Sequence, residues 1–305
     1  MALRLGTRAS ALARWQADWV ASRLETLGVT VESVPIVTTG DRQRREPVEN
    51  IGGWGVFTKE IQRALLDGRI DLAVHSLKDL PTEKTGGLCL AAVPKRGPAG
   101  DALVSSRHAS LDELPKGAVV GTGSLRRRAQ LLHVRPDLRI KEIRGNVDTR
   151  LKKLDRGDYD ALVLAEAGLR RLGLADRITQ PLPTSIVLPA VGQGALGLET
   201  RQEDQETRSV VIELHHSATQ AAVLAERAML AALEGGCLAP IGAWGRIDTR
   251  RLVLTGRVIS TDGAESIATT LTGDPGEPNR LGRRVAQRLI KQGADRLIRA
   301  AREAS

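Results

Sequence analysis

Over the first two-thirds of the chain, short apolar runs alternate with stretches whose apolar positions recur every three to four residues. That is the pattern of strands alternating with helices in an α/β fold. "LRLG" reads as a strand, and Thr7-Arg8-Ala9-Ser10 then opens a helix with Leu12, Trp15, Trp19, Leu24 and Leu27 at helical spacing. "KEIQRALLDG" is a second helix, stopped by Gly68, and "RIDLAVHS" is the next strand. The pattern then repeats. "AVVGTGSLRRRAQLL" (118–132) is again strand, Gly-Thr, Ser and helix, and "LLDGRIDLAVHS" (65–76) has an echo in "LDRGDYDALVLA" (154–165), each with Gly and Asp three apart before a strand.

Two echoes in one order predict two α/β domains of similar plan, with ligands in the crevice at the carboxyl ends of their strands. The Pro/Gly-rich stretches 93–101 and 182–197 are the expected crossings between them. Gly192, Gly194 and Gly197 spell G-x-G-x-x-G, but they lie between prolines with no helix pattern behind them, which argues against a dinucleotide loop. The last hundred residues change character. A helix with Ser217 as its expected N-cap is followed by strand-like runs "IGAWGRI", "RLVLTGRVIS" and "ESIATTLTG". The last two of these are joined across Asp262-Gly263, and a helical stretch (280–303) closes a small α+β domain.

A length of 305 residues with 41% apolar and 27% charged positions suits a soluble protein of two or three domains. With six aromatics, the cores must be built from Leu, Val, Ile and Ala. The first residues hold no apolar run of signal-peptide length and no 18-residue apolar segment occurs, so a cytoplasmic location and no membrane partner are expected. Cys89 and Cys237 cannot form a disulfide framework or a zinc ligand set, and no metal is expected. Net charge is +9, with Arg outnumbering Lys 36 to nine. Guanidinium forks grip carboxylate or phosphate through paired hydrogen bonds, although a solvated basic surface has the same composition. Few aromatics and no basic helical stripe argue against nucleic acid.

Position decides between those readings. A cation in the first turn of a helix opposes the macrodipole at a cost of a few tenths to about 1 kcal/mol. Arg8 precedes the first helix, Arg126 and Arg127 open the one after "GTGS", and Arg144 and Arg150 flank the start at Asn146. Three such cases after strands call for a compensating anion. "VHSLKDLP" places Ser76, Lys78 and Asp79 at a strand end, where a carboxylate among cations stays ionised and suits a developing positive charge or N–H donors. His75 reads as a packed strand residue, and His215 and His216 as lying outside a helix start. Cys237 stands behind two glycines in "LEGGCLAP", after a helix C-terminus that disfavours a thiolate. It reads as an attachment point with cleared space around it, and Cys89 as a core residue.

The motifs "TRAS.LA..Q", "GG.G.FTKE", "DLAVHSLKDLPT", "GTGSLRRRAQL", "RGNVDTRLKKL", "LPAVGQGALG" and "ERAMLAALEGGCLAPIG" occur in order from residue 7 to 242. Together they resemble the hydroxymethylbilane synthase (porphobilinogen deaminase) family. The resemblance implies two type II periplasmic-binding-protein-like α/β domains with a central cleft plus a small α+β C-terminal domain. The expected divisions are 1–94 with 195–213, then 100–188, then 217–305. It also implies a dipyrromethane cofactor on Cys237 by a thioether, and a reaction that condenses four porphobilinogens head to tail with loss of ammonia, then releases hydroxymethylbilane by hydrolysis. Every pyrrole carries an acetate and a propionate, which would account for the arginines.

By the same resemblance Asp79, Arg8 and Arg144 are catalytic, with Asp79 steadying the cation formed as ammonia leaves. Lys78, Ser76, Thr122, Ser124, Arg126, Arg127, Arg150 and Gly145 hold the cofactor, while Ser10, Gln16, Phe57, Arg171, Gln193 and Arg201 meet substrate. Two departures from the family are Trp54, where lysine is usual, and Gly123, where serine is common. Residues 41–56 are expected to form a lid in which Trp54 shields the site. The family expectation is a monomer. A two-lobed anion-binding protein without catalysis is the competing reading.

Overall fold

In the computed structural model, which describes residues 2–37, 58–234 and 239–303, "LRLG" lies in strand β1 (Leu3–Thr7), and Leu5 is fully buried. Ser10 caps helix α1 (Ala11–Glu25): its hydroxyl accepts the Ala13 N–H at 3.3 Å, satisfying one of the amides a helix start leaves over. The helix turns Gln16, Ala17, Val20 and Leu24 inward. Trp15 and Trp19 are only half-buried, and Leu27 lies past the helix and is exposed, so the buried stripe is not the one the large apolar residues suggest. Small Ala17 lets the backbone lie close on the sheet, while Trp19 is covered on its outer face by Arg23, 5.5 Å from the ring centre.

Strand β2 (Val31–Pro35), helix α2 (Lys59–Leu66), strand β3 (Leu72–Ser76) and strand β4 (Leu88–Ala92) follow. The chain leaves this first unit after Gly97. It then forms β5 (Asp101–Val104), β6 (Val119–Gly121), α3 (Leu125–Val134), β7 (Arg139–Lys141), α4 (Val147–Asp155), β8 (Ala161–Ala165), α5 (Glu166–Arg171) and β9 (Gln180–Leu182). At Ala195 it rejoins the first unit with β10 (Leu196–Arg201) and α6 (Gln205–Val211), and after Gln220 it passes again to the second. Gly197 lies inside β10, so the G-x-G-x-x-G run is followed by a strand, as its setting between prolines indicates.

The first unit holds a sheet of order β2-β1-β3-β10-β4, and the second unit one of order β7-β6-β8-β5-β9. In both, three parallel strands meet an antiparallel strand that is the first after a crossing. The echo in the sequence is an echo in bonding. Asp71 donates its N–H to Arg4 O at 2.8 Å and accepts the Arg4 N–H on Oδ2 at 3.1 Å. Asp160 does the same with Val119, at 2.9 and 2.7 Å. Gly68 and Gly157 stand three residues earlier, both at positive φ (67° and 84°), where a Cβ is strained. The two domains are α/β units of one plan, as expected.

The remaining elements belong to the second unit apart from the start of α7 (Ser217–Ala232): β11 (Ile241–Asp248), β12 (Arg251–Ile259), β13 (Ser266–Gly273), α8 (Pro278–Lys291) and α9 (Ala294–Glu303). The three strands form an antiparallel sheet in sequence order, with Gly263 at φ 78° in the turn between the last two. Met229, Leu252, Leu254, Val258, Val285 and Leu289 make its core against the helices. The N-cap of α7 is one residue earlier than expected. His216, not Ser217, takes it, its Nδ1 accepting the Thr219 N–H at 3.2 Å as an Asn or Asp oxygen would. Among the described residues no helix is long and apolar enough to cross a membrane.

Candidate active site

In the first unit the site begins where β3 ends. A single 3₁₀ turn, Leu77–Asp79, bends the chain after Ser76. Leu77 is buried and donates its N–H to Ala195 O at 3.0 Å, so the turn is anchored while Lys78 and Asp79 are left exposed. Asp79, Ser76, Gln16, Ser10 and Arg8 line one cavity of ≈ 80 Å³. Five expected site residues therefore come together, drawn from the ends of β1 and β3 and the start of α1. Gln16 is 3% exposed and its Nε2 donates to Ser76 Oγ at 2.9 Å, which holds the hydroxyl in place. His75 backs the cavity, with its Nε2 3.0 Å from Glu199 Oε2, while Gln62 donates to Glu199 Oε1 at 3.0 Å. It is a packed strand residue.

In the second unit the loop between β6 and α3 is tied by Thr122, whose Oγ1 accepts the Ser124 N–H at 3.2 Å, and Ser124 caps α3 by accepting the Arg127 N–H at 3.5 Å. A Cβ at Gly123 would meet the Ile143 carbonyl oxygen at 2.9 Å, so a side chain there requires the backbone to shift. Arg126 and Arg127 open the helix and are both buried. They share one carboxylate, Asp101, which is completely buried: Arg126 Nη1 reaches Oδ2 at 2.8 Å and Arg127 Nε reaches Oδ1 at 2.9 Å. Burial pushes the Asp101 carboxyl up, but the charges and hydrogen bonds of the two arginines prevail and hold it well below the usual range. Burial lowers Arg126, with Asp101 opposing and Arg127 adding repulsion. Arg126 Nη1 also donates to Leu188 O at 2.5 Å, and its buried Nε has no acceptor among the described residues. Gln193 joins the group, its Nε2 donating to Asp101 Oδ1 at 3.0 Å and Ala99 O at 2.7 Å.

Two guanidiniums on one carboxylate leave an excess positive charge, and the neighbours feel it. Arg150 is pushed down to about 10, first by burial and then by repulsion from Arg127 and Arg144. Its Nε donates to the carbonyl of Gly145, itself at φ 109°. Arg144 is held by Glu142, Nε to Oε1 at 2.6 Å. Arg171, also pushed down to about 10 by burial, donates to Gly194 O at 2.6 Å. A cation depressed by other cations gains from an incoming anion, so this donor set fits a ligand with several carboxylates. Ser124, Thr122 and the amides at the start of α3 add neutral donors.

Arg201 is not with the others. It is the last residue of β10, antiparallel to β3, with Leu196 beside Ser76 and Glu199 beside Ala73. Five residues of strand put it roughly 17 Å from the Ser76 end. There its Nη1 donates to Leu65 O and Ile70 O and its Nη2 to Asp71 and Asp204, closing a structural clamp with Arg4. Cys89 is half-buried rather than in the core, because β4 is an edge strand, and its Sγ lies 3.5 Å from Thr200 Oγ1. Cys237, Phe57, Trp54 and the expected lid at 41–56 lie outside the described residues. Asp101 was not foreseen as part of the site. The available signal was an acid standing directly before the apolar run "ALV", where a charge enters a buried strand.

Comparison with known proteins gives a consistent result. Residues 3–209 match the family model "Porphobilinogen deaminase, dipyromethane cofactor binding domain", and residues 220–291 match "Porphobilinogen deaminase, C-terminal domain". A porphobilinogen deaminase of Syntrophotalea carbinolica is 49% identical over 301 residues, covering 98% of this chain and 96% of the relative. One of Pelotomaculum thermopropionicum is 48% identical over 303 residues, covering 99% and 97%. Among solved structures, the methionine-binding protein MetQ is similar at 15% identity and a TM-score of 0.46, covering 70% of this chain and 89% of that one.

Proposed function

The chain belongs to the porphobilinogen deaminase family, and from that premise and the placing of its cations we propose that it is a hydroxymethylbilane synthase. It joins four porphobilinogens head to tail, each condensation forming a carbon–carbon bond from the aminomethyl carbon and releasing one ammonia, and water then frees the linear tetrapyrrole. Dipyrromethane supplies the primer, an unsubstituted pyrrole carbon onto which the first unit is added.

What carries this reading is the grouping of arginines in the second unit: Arg126 and Arg127 share the one buried carboxylate of Asp101, and Arg150 lies close enough to Arg127 and Arg144 to be repelled by both. Such a cluster suits a ligand with many carboxylates and would be a liability without one. On this reading Arg127, Arg150 and Arg171, with Ser124 and Thr122, hold acetate and propionate groups. Arg126 braces the segment at Leu188 instead. Asp79, exposed on its anchored turn in one cavity with Arg8, is the group that meets pyrrole N–H and the positive charge that grows as ammonia departs. Ser76 and Gln16 orient the wall beside it. The attachment atom is the sulfur of Cys237, for which the paired glycines of "LEGGCLAP" leave room. The three-domain division, a cytoplasmic setting and a monomeric state complete the reading, and light scattering checks the last. The test of activity is stoichiometric: porphobilinogen added to the purified protein yields four ammonia per tetrapyrrole, and binding without ammonia release would favour a solute-binding protein instead.

A further inference from the structure

We propose that Asp101 is a positioning residue for Arg127, setting the plane and direction of the guanidinium that the proposed reaction uses to hold a carboxylate. The inference rests on that reading of Arg127. Asp101 begins β5, a strand paired on both sides, opposite Ala165 and Leu182, so its backbone is fixed by the sheet. Oδ1 faces the Nε edge of Arg127, accepting the Nε–H at 2.9 Å with Nη2 at 2.7 Å, while Oδ2 accepts from Arg126, so the two oxygens hold one arginine each. The third nitrogen, Nη1, donates to Val163 O at 3.1 Å in the next strand. Gln193 fixes the carboxylate in turn by donating to the same Oδ1.

Arg127 is therefore held by two partners, Asp101 and the Val163 carbonyl, in the first turn of a helix where the dipole would otherwise repel it. Asp101 also cancels one of two charges. The pair of arginines thus presents one net positive charge, and Arg127 is one of the two arginines that repel Arg150. Take away the carboxylate, and Arg127 loses both its aim and its counter-charge, while Arg126 keeps only Leu188 O among the contacts of its Nη1.

Four proteins carrying the cofactor test this: wild type, Asp101→Asn, Arg127→Leu and the double variant, compared by KM, kcat and melting temperature. If Asp101 acts through Arg127, the Asp101→Asn and Arg127→Leu proteins each show a KM for porphobilinogen raised about tenfold with a smaller change in kcat, and the double variant lies within about twofold of Arg127→Leu. Multiplying effects in the double variant, or a wild-type KM for Asp101→Asn, overturn the inference. Should Asp101→Asn not fold, the pair Asp101→Asn/Arg126→Met, which removes a buried charge of each sign, replaces it. A KM above that of Arg126→Met alone then supports the positioning role, and equality overturns it. Wild-type KM and cofactor content in Arg127→Leu would sink the underlying assignment of Arg127, a result distinct from either.

Discussion

Asp79 is held in place by the anchoring of a buried neighbour. Leu77 pins the turn, so the carboxylate projects from a rigid base into the cavity shared with Arg8. Asp79→Asn keeps the shape and removes the charge. We expect this variant to retain the covalent adduct while kcat falls by about 10²–10³, the usual loss when a preorganised electrostatic group is removed; near-normal turnover would remove Asp79 from its role. Arg150 and Arg171 make a second prediction. Burial, joined at Arg150 by repulsion from Arg127 and Arg144, brings both guanidiniums down to about 10, so both are charged and able to grip carboxylates below pH 10, and both lose charge as pH rises through it. Affinity for porphobilinogen should therefore decline as pH passes about 10. An unchanged KM up to pH 11 would count against both residues as carboxylate holders. Arg126 illustrates what the sequence hides at this scale: its neighbour in the chain and its neighbour in space both matter, and the second, Asp101, lies 25 positions away.

Between residues and the whole, the unit that recurs is strand, Gly-Thr, Ser-capped helix, then Gly and Asp before the next strand. It was legible because each part has a local cause: a cap, a positive φ, an acid that accepts a neighbouring strand's amide. Asp160→Ala leaves the Val119 N–H without its acceptor and should cost about 1–2 kcal/mol in denaturant unfolding, with little effect on KM. In the first unit the corresponding acid has taken on more. For Asp71 burial pushes upward, and Arg4 and Arg201 overcome it to hold the carboxyl at about 2. Because this folded value is below the unfolded one, its contribution to stability is present above about pH 4 and is lost as pH falls through 2. Asp71→Asn should flatten the acid limb of the stability curve; an identical acid limb would show that the clamp contributes nothing there. The inward stripe of α1 was less legible, since size suggested the tryptophans while close helix–sheet contact favours Ala17. The cap of α7 was misplaced by one residue because a histidine ring did the work expected of a serine.

At the scale of the molecule, the order of seven motifs along the chain carried the family, and the alternation of patterns carried the two α/β plans. The chain changes unit after Gly97 and Gly194, inside the two Pro/Gly-rich stretches, and a third time after Gln220, within helix α7, where composition gives no sign of it. What could not be read was which cations face inward on protein and which remain for a ligand. Arg201 sits in the acidic run "ETRQEDQE" and serves the far end of its sheet, because antiparallel β10 carries it away from Ser76 to Asp71 and Asp204. Charge and spacing are one-dimensional, and the direction of a strand decides where a side chain ends up. The central claim is that this arginine-rich protein carries a polyacidic primer on one sulfur. Intact-protein mass measurement tests it most directly: the purified chain should be heavier than its sequence by two pyrrole units, and Cys237→Ser should have the bare mass. A wild-type chain at its bare mass, or a Cys237→Ser protein that keeps the increment, would contradict the account.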